Sequence, residues 1–175
     1  MERLHPSDRP VLQAEALIAV LAAHEVRWVL CGSQVLALHG AKLVPNDLDV
    51  VPELSPENLA RVAECLRSLN AVRAYLDGWG GATLAECEDW RVGAATAEAL
   101  DWLYVTPLGM LDIVVEFAAP YAELMQGAIE LEAAGVPYRA CDPRKVLRAL
   151  ERRDRSKDAA RRAEYARLRR ELGVA

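Results

Sequence analysis

Residues 46–52 read N-D-L-D-V-V-P. Leu48, Val50 and Val51 mark a strand, yet Asp47 and Asp49 stand at its mouth, and strands disfavour aspartate. On a strand, positions i and i+2 face one side with Cα atoms about 6.5–7 Å apart. Both carboxylates therefore point one way while Leu48 faces the core. Like charges that close repel unless a cation sits between them. Hard oxygen ligands suit Mg2+, which takes one or two carboxylates together with substrate phosphates and water. The plainer reading is a strand-edge pair that caps a turn and meets solvent. What flanks the stretch decides between the two.

Upstream, R-W-V-L-C at 27–31 reads as a short strand ending at Gly32-Ser33, followed by a helix Q-V-L-A-L-H that stops at Gly40. Glycine permits close approach of the backbone, the helix start offers free N–H groups, and Ser33 adds a hydroxyl, a combination that suits phosphate. Downstream, Asp112 follows T-P-L-G-M-L and heads I-V-V-E-F, an otherwise apolar strand. A third carboxylate on a neighbouring strand completes a site for one or two metal ions. Glu116 shares its face by alternation and reads as an exposed or salt-bridged residue. Strand, Gly-Ser, helix and a strand bearing D-x-D are each common. In that order, within the 18 residues from Gly32 to Asp49, they form a specific pattern.

The rest of the chain supplies a mixed α/β frame. Ser7, Asp8 and Pro10 predict a helix running to about Glu25, and Ser55 with Pro56 opens a helix carrying Leu59, Val62, Ala63, Leu66 and Leu69 on its apolar side. D-G-W-G-G-A-T at 77–83 reads as loop. Residues 99–105 and 111–117 flank T-P-L-G and predict a hairpin; a helix near 121–126 precedes a second hairpin, 128–132 with 136–140. Asp142-Pro143 caps the first of two basic helices. The expected organisation is a core over residues 1–141 with a helical segment, 142–175, packed on it.

At 175 residues and 53% apolar composition the chain can bury a sizeable core and is not disordered. No apolar run is long enough to span a bilayer, and no signal-peptide core follows the N-terminus. Cys31, Cys65, Cys87 and Cys141 are scattered without a C-x-x-C pair, which argues for reduced thiols in a cytoplasm and against structural zinc. The net charge of −5 hides an asymmetry: residues 143–171 carry 12 Lys and Arg against 5 Asp and Glu, so the remainder stands at −12. The basic segment suits either an anionic partner such as RNA or a solvated pair of amphipathic helices. Motifs of P-loop, dinucleotide-binding, zinc-protease and α/β-hydrolase sites are missing from the sequence.

The stretches C-G-S-Q-V-L-A-L-H-G, N-D-L-D-V-V and V-T-P-L-G-M-L-D-I resemble the nucleotidyltransferase superfamily, in particular small bacterial proteins such as AbiEii-type toxins and the minimal nucleotidyltransferases. Y-A-E-L, G-V-P-Y-R-A and R-S-K-D extend the resemblance over most of residues 27–158. It implies a mixed β-sheet flanked by helices, with Gly32 and Ser33 holding the phosphates of a nucleoside triphosphate, ATP included. Asp47, Asp49 and Asp112 would be catalytic residues that hold Mg2+, and Lys157 would face the nucleotide. It also implies an acceptor hydroxyl on RNA such as tRNA, on a protein or on a small molecule, and a place in a toxin–antitoxin pair with a partner protein. The chain departs from the family pattern where Leu43 and Pro45 replace an arginine and a threonine, and where Arg161 replaces an acid. The missing Arg/Thr pair favours the alternative of a catalytically inactive member that acts by binding a protein or sensing a nucleotide, while Arg161 bears on the role of the tail.

Overall fold

Asn58 shows how the frame is set. Ser55 caps the helix that begins at Pro56, accepting from the Asn58 N–H at 3.4 Å. The Asn58 side chain, fully buried, accepts from the Arg27 N–H at 2.7 Å and donates to the carbonyls of Arg27 and Glu53, both at 2.8 Å. One amide thus fixes the start of one strand to the end of the next, satisfying polar groups that would otherwise be buried unpaired.

The computed structural model describes residues 4–77, 80–152 and 156–174, the side chains of 156 and 157 aside. In chain order the elements are α1 (Ala14–Ala23), β1 (Trp28–Leu30), α2 (Gly32–Leu38), β2 (Asp47–Pro52), α3 (Pro56–Ser68), β3 (Val72–Arg73), α4 (Leu84–Asp89), α5 (Ala97–Leu100), β4 (Trp102–Thr106), β5 (Gly109–Ile113), α6 (Tyr121–Leu124), β6 (Ile129–Ala133), β7 (Val136–Ala140), α7 (Pro143–Glu151) and α8 (Ser156–Glu171). The strands form one mixed sheet in the order β3-β4-β5-β2-β1-β7-β6. β2 runs parallel to β5 and β1 parallel to β7, while the remaining neighbours are antiparallel.

Leu48, Val50, Leu111, Ile113 and Tyr104 join Leu17, Leu21, Leu59 and Leu66 in the main core. By strand alternation, Asp47, Asp49, Met110 and Asp112 share the opposite face. Further along that face Val72, Ala74, Leu103, Val105 and Met110 form a second, smaller apolar cluster, packed by Leu4 and Leu76. α7 packs on α2 and carries α8. All four cysteines are free and buried, as their scatter predicts. Among the described residues, no helix is long and apolar enough to cross a membrane.

Three expectations are corrected. The first helix starts at Ala14, not after Ser7. Ser7 and Asp8 lie in a turn, where Asp8 N–H donates to the His5 carbonyl at 2.9 Å, and Pro10 keeps the residue before it out of helical conformation. Residues 4–13 instead form a strap along the sheet, with Gln13 N–H donating to Leu108 at 2.8 Å and Tyr75 N–H to Pro6 at 2.9 Å. Second, the first strand of the T-P-L-G hairpin starts at Trp102 rather than at residue 99, because Thr96 caps a short helix, α5, that runs to Leu100. Third, β5 ends at Ile113 rather than continuing to residue 117, and the Val114 N–H makes a last bond to Val50 at 3.0 Å. Glu116 is exposed, beyond the strand.

Candidate active site

The parallel ladder between β2 and β5 sets Asp49 directly beside Asp112, and Asp47 beside Met110. Asp47 and Asp112 are half-buried and Asp49 is 9% exposed. Each offers a carboxylate oxygen, and the three oxygens lie within 4.8 Å of one another. An octahedral Mg2+ shell, with bonds of about 2.0–2.1 Å, spaces its oxygens by about 3–4 Å. The donor set is close to that spacing, and its hard oxygen chemistry is the kind Mg2+ prefers. A cation also relieves the repulsion that three neighbouring carboxylates feel in a partly dehydrated site.

Gly32 lies against Asp49. Its φ is +69°, and a Cβ there would stand 1.8 Å from Asp49 Oδ2 and 2.3 Å from Cγ. The carboxylate thus occupies the space a side chain would take, which only glycine leaves open. The Cys31 N–H donates to the Asp49 carbonyl at 2.9 Å, so the strand-to-helix turn is bonded to the backbone of the residue whose carboxylate it accommodates. Ser33, 8% exposed, follows at the same opening. Gly32, Ser33 and the three aspartates line a recess of about 30 Å³, room for an ion and not for a nucleotide.

The far wall comes from α8. Asp158 is 2% exposed and accepts from the Tyr165 hydroxyl at 3.2 Å. Burial and the Asp158 charge push the Tyr165 hydroxyl's pKa up, with Arg161 opposing them. Arg161 donates to the Val44 carbonyl at 3.0 Å. Asp158, Arg161 and Tyr165 line the recess but escaped selection from the sequence. Their i, i+3, i+7 spacing on a helix was the available signal. Lys157 lies in α8, but its side chain is outside the described residues. His39 ends α2, its Nδ1 2.9 Å from the Val35 carbonyl, a local helix-end contact.

α8 also holds the loop that leads into β2. Arg167 donates to the Gly40 carbonyl at 2.7 Å, and Glu164 accepts from the Lys42 N–H. Arg167 pairs with Glu164 at 2.6 Å. Together Arg167 and Lys42 hold the Glu164 carboxyl down at about 2. Much of the tail's positive charge is thus engaged within the molecule: Arg169 meets Glu151 at 2.6 Å and Arg144 meets Asp142 at 2.7 Å. Lys145 donates to the carbonyls of Glu123 and Gln126, at 2.5 and 2.8 Å.

No protein-family model matches the chain, and no curated protein matches it in sequence. Among solved structures it is similar to the solution structure of the antibiotic-resistance factor ANT(2'')-Ia, an aminoglycoside nucleotidyltransferase, with 16% identity and a TM-score of 0.52 over 89% of this chain and 80% of that one. The likeness is one of fold: the mixed sheet, its flanking helices and the C-terminal helix make this a nucleotidyltransferase-like fold.

Proposed function

We propose that the chain is a Mg2+-dependent nucleotidyltransferase, moving a nucleoside monophosphate from a nucleoside triphosphate to an acceptor hydroxyl. The observation that carries this reading is the carboxylate triad on two parallel strands, with Asp49 packed against a Gly-Ser turn. Asp47, Asp49 and Asp112 would hold one or two Mg2+ ions, which when bound offset the charge of the triphosphate and of the leaving pyrophosphate. Gly32 and Ser33, with Lys157, hold the phosphates. The acceptor oxygen bonds to the α-phosphorus, the α–β phosphoanhydride P–O bond breaks, and pyrophosphate leaves with the electron pair. Asp112, in register with Asp49, would take the hydroxyl proton or complete the ligand set. The AbiEii-like resemblance would put the same reaction in a toxin–antitoxin pair, with tRNA or a partner protein as acceptor.

A second reading, a protein-binding or nucleotide-sensing member without transfer, is favoured by Leu43 and Pro45. Leu43 packs on the main core and Pro45 is uncharged, so neither can meet a phosphate as an arginine would. Two measurements separate the readings. In the first, the protein is incubated with Mg2+, each α-labelled triphosphate and a cell extract, beside an Asp47→Asn/Asp49→Asn control. Label transferred by the wild type alone supports the enzyme; its absence sinks it. In the second, a rise in Tm with Mg2+ and triphosphate reports binding to the native state whether or not transfer follows.

A further inference from the structure

The face that carries the aspartates continues outward as an apolar floor. Met110 lies across from Asp47, and Leu103 from Asp112, so both share the aspartates' face, 4% and 8% exposed. Above them is the N-terminal strap. Between the strap and residues 44–47 lies a cavity of about 510 Å³, floored by Leu103 and Met110. Small-molecule sites have volumes of about 300–1,000 Å³. Asp47 lines both this cavity and the ion-sized recess, so the two spaces are neighbours across that residue.

Among the described residues the lining carries two charged side chains, Asp47 and Arg9. The Arg9 guanidinium donates to the carbonyls of Pro6, Asp8 and Tyr75, at 3.1, 2.6 and 2.8 Å. Apart from Asn46, the other lining residues are apolar; two of them, Val11 and Val44, are 84% and 79% exposed. A polycation would meet Arg9 and find no carboxylate beyond Asp47 among the described lining residues. Among the described residues, a nucleic-acid end would find one engaged arginine and no aromatic ring to stack on.

Position adds direction. The sheet order β4-β5-β2-β1 puts Gly32, which follows β1, on one flank of the aspartates and this cavity on the other. In phosphoryl transfer the entering and leaving oxygens lie roughly in line. With pyrophosphate on the side of Gly32 and Ser33, the entering hydroxyl comes from the cavity. We infer that the space beneath the strap binds the acceptor, and that the acceptor is a small uncharged molecule bearing a hydroxyl on an apolar ring or chain. The inference rests on the nucleotidyl-transfer reading above and supplies its missing substrate class.

The test uses the whole chain, as wild type and as Val44→Trp and Val11→Trp, exposed positions at which an indole can fill the cavity. Benzyl alcohol is titrated while the Leu103 and Met110 methyl resonances are followed. Transfer of α-label is measured into the dialysable, RNA and protein fractions of a cell extract, and Tm is measured with Mg2+ and a non-hydrolysable ATP analogue. The expected pattern is methyl shifts in the wild type that vanish in the filled variants, and label in the dialysable fraction that falls about 100-fold in them, while all three proteins keep the nucleotide-dependent rise in Tm. Label entering RNA or protein at equal rates in wild type and variants would overturn the acceptor assignment and leave nucleotidyl transfer standing, as would methyls that benzyl alcohol does not move. No labelling and no rise in Tm in the wild type would remove both.

Discussion

Gly32 and Gly109 are both crowded where a side chain would begin, yet they secure opposite flanks of the same face. At Gly32 the missing Cβ leaves room for the Asp49 carboxylate; at Gly109, with φ +113°, it leaves room for the backbone of the strap, since a Cβ would stand 2.7 Å from Leu12 Cα. One neighbour is the end of a side chain and the other is main chain already bonded to the β4–β5 turn. The same absent atom therefore makes room for a carboxylate on one flank and for main chain on the other, and substitutions should separate the two.

Gly32→Ala carries the largest expected effect. The methyl displaces the Asp49 carboxylate, so label transfer falls by at least about 100-fold, as misplaced catalytic groups do. The rise in Tm with Mg2+ and triphosphate disappears, and the strained backbone costs about 1–3 kcal/mol. Transfer at the wild-type rate would show that the Asp49–Gly32 contact is not needed. Gly109→Ala should invert the pattern, with stability down by about 2–3 kcal/mol in urea titration, because φ is unsuited to alanine and backbone must move, while the nucleotide-dependent rise in Tm is retained. Arg9→Ala, removing the three carbonyl bonds that tie the strap, should cost about 1 kcal/mol and speed hydrogen exchange at the Gln13 and Tyr75 amides.

The smallest effect is expected on the loop before β2. Glu164, lowered from 4.5 to about 2 by Arg167 and Lys42, is ionised more readily in the folded state than in the unfolded one. Its contribution is therefore present above the ordinary value and lost as pH falls from 4.5 through 2. The wild-type Tm should drop through that window, and Glu164→Gln should lack that component of the drop. Parallel curves for the two proteins would show that the loop does not depend on this carboxylate.

What could be read from the sequence was local or repetitive. The D-x-D strand, the Gly-Ser turn, the T-P-L-G hairpin, and the caps at Ser55 and Asp142 each announce themselves within a few residues, and the structure has a strand, a turn or a helix at each. Thr83 and Glu86 make a capping box for α4, a signal present in T-L-A-E and masked by the glycines before it. The strap could not be read, because Ser7, Asp8 and Pro10 carry helix-start chemistry and only contacts with Leu108 and Tyr75 decide against it. Asp158 was hidden differently: one acid among arginines looks solvated, and its burial comes from elements distant in sequence. Pairing of Asp49 with Asp112 could be guessed from two apolar strands, but their parallel register is a property of the assembled sheet.

The hold of α8 on the loop before β2 has a consequence in time. Gly40 and Arg167, joined by a hydrogen bond, are 127 residues apart in the chain. At synthesis rates of about 5–20 residues per second, that separation corresponds to roughly 6–25 s on the ribosome. The β1–β2 pair can form early, while the partner strand of Asp49 and the helix that fixes the loop are still unmade. A nascent chain thus exposes Asp47 and Asp49 without Asp112 for seconds, and acquires the full cluster only after β5 has emerged. Long-range pairing of this kind also slows folding, so the last part of the molecule to become native should be the part that carries the three aspartates.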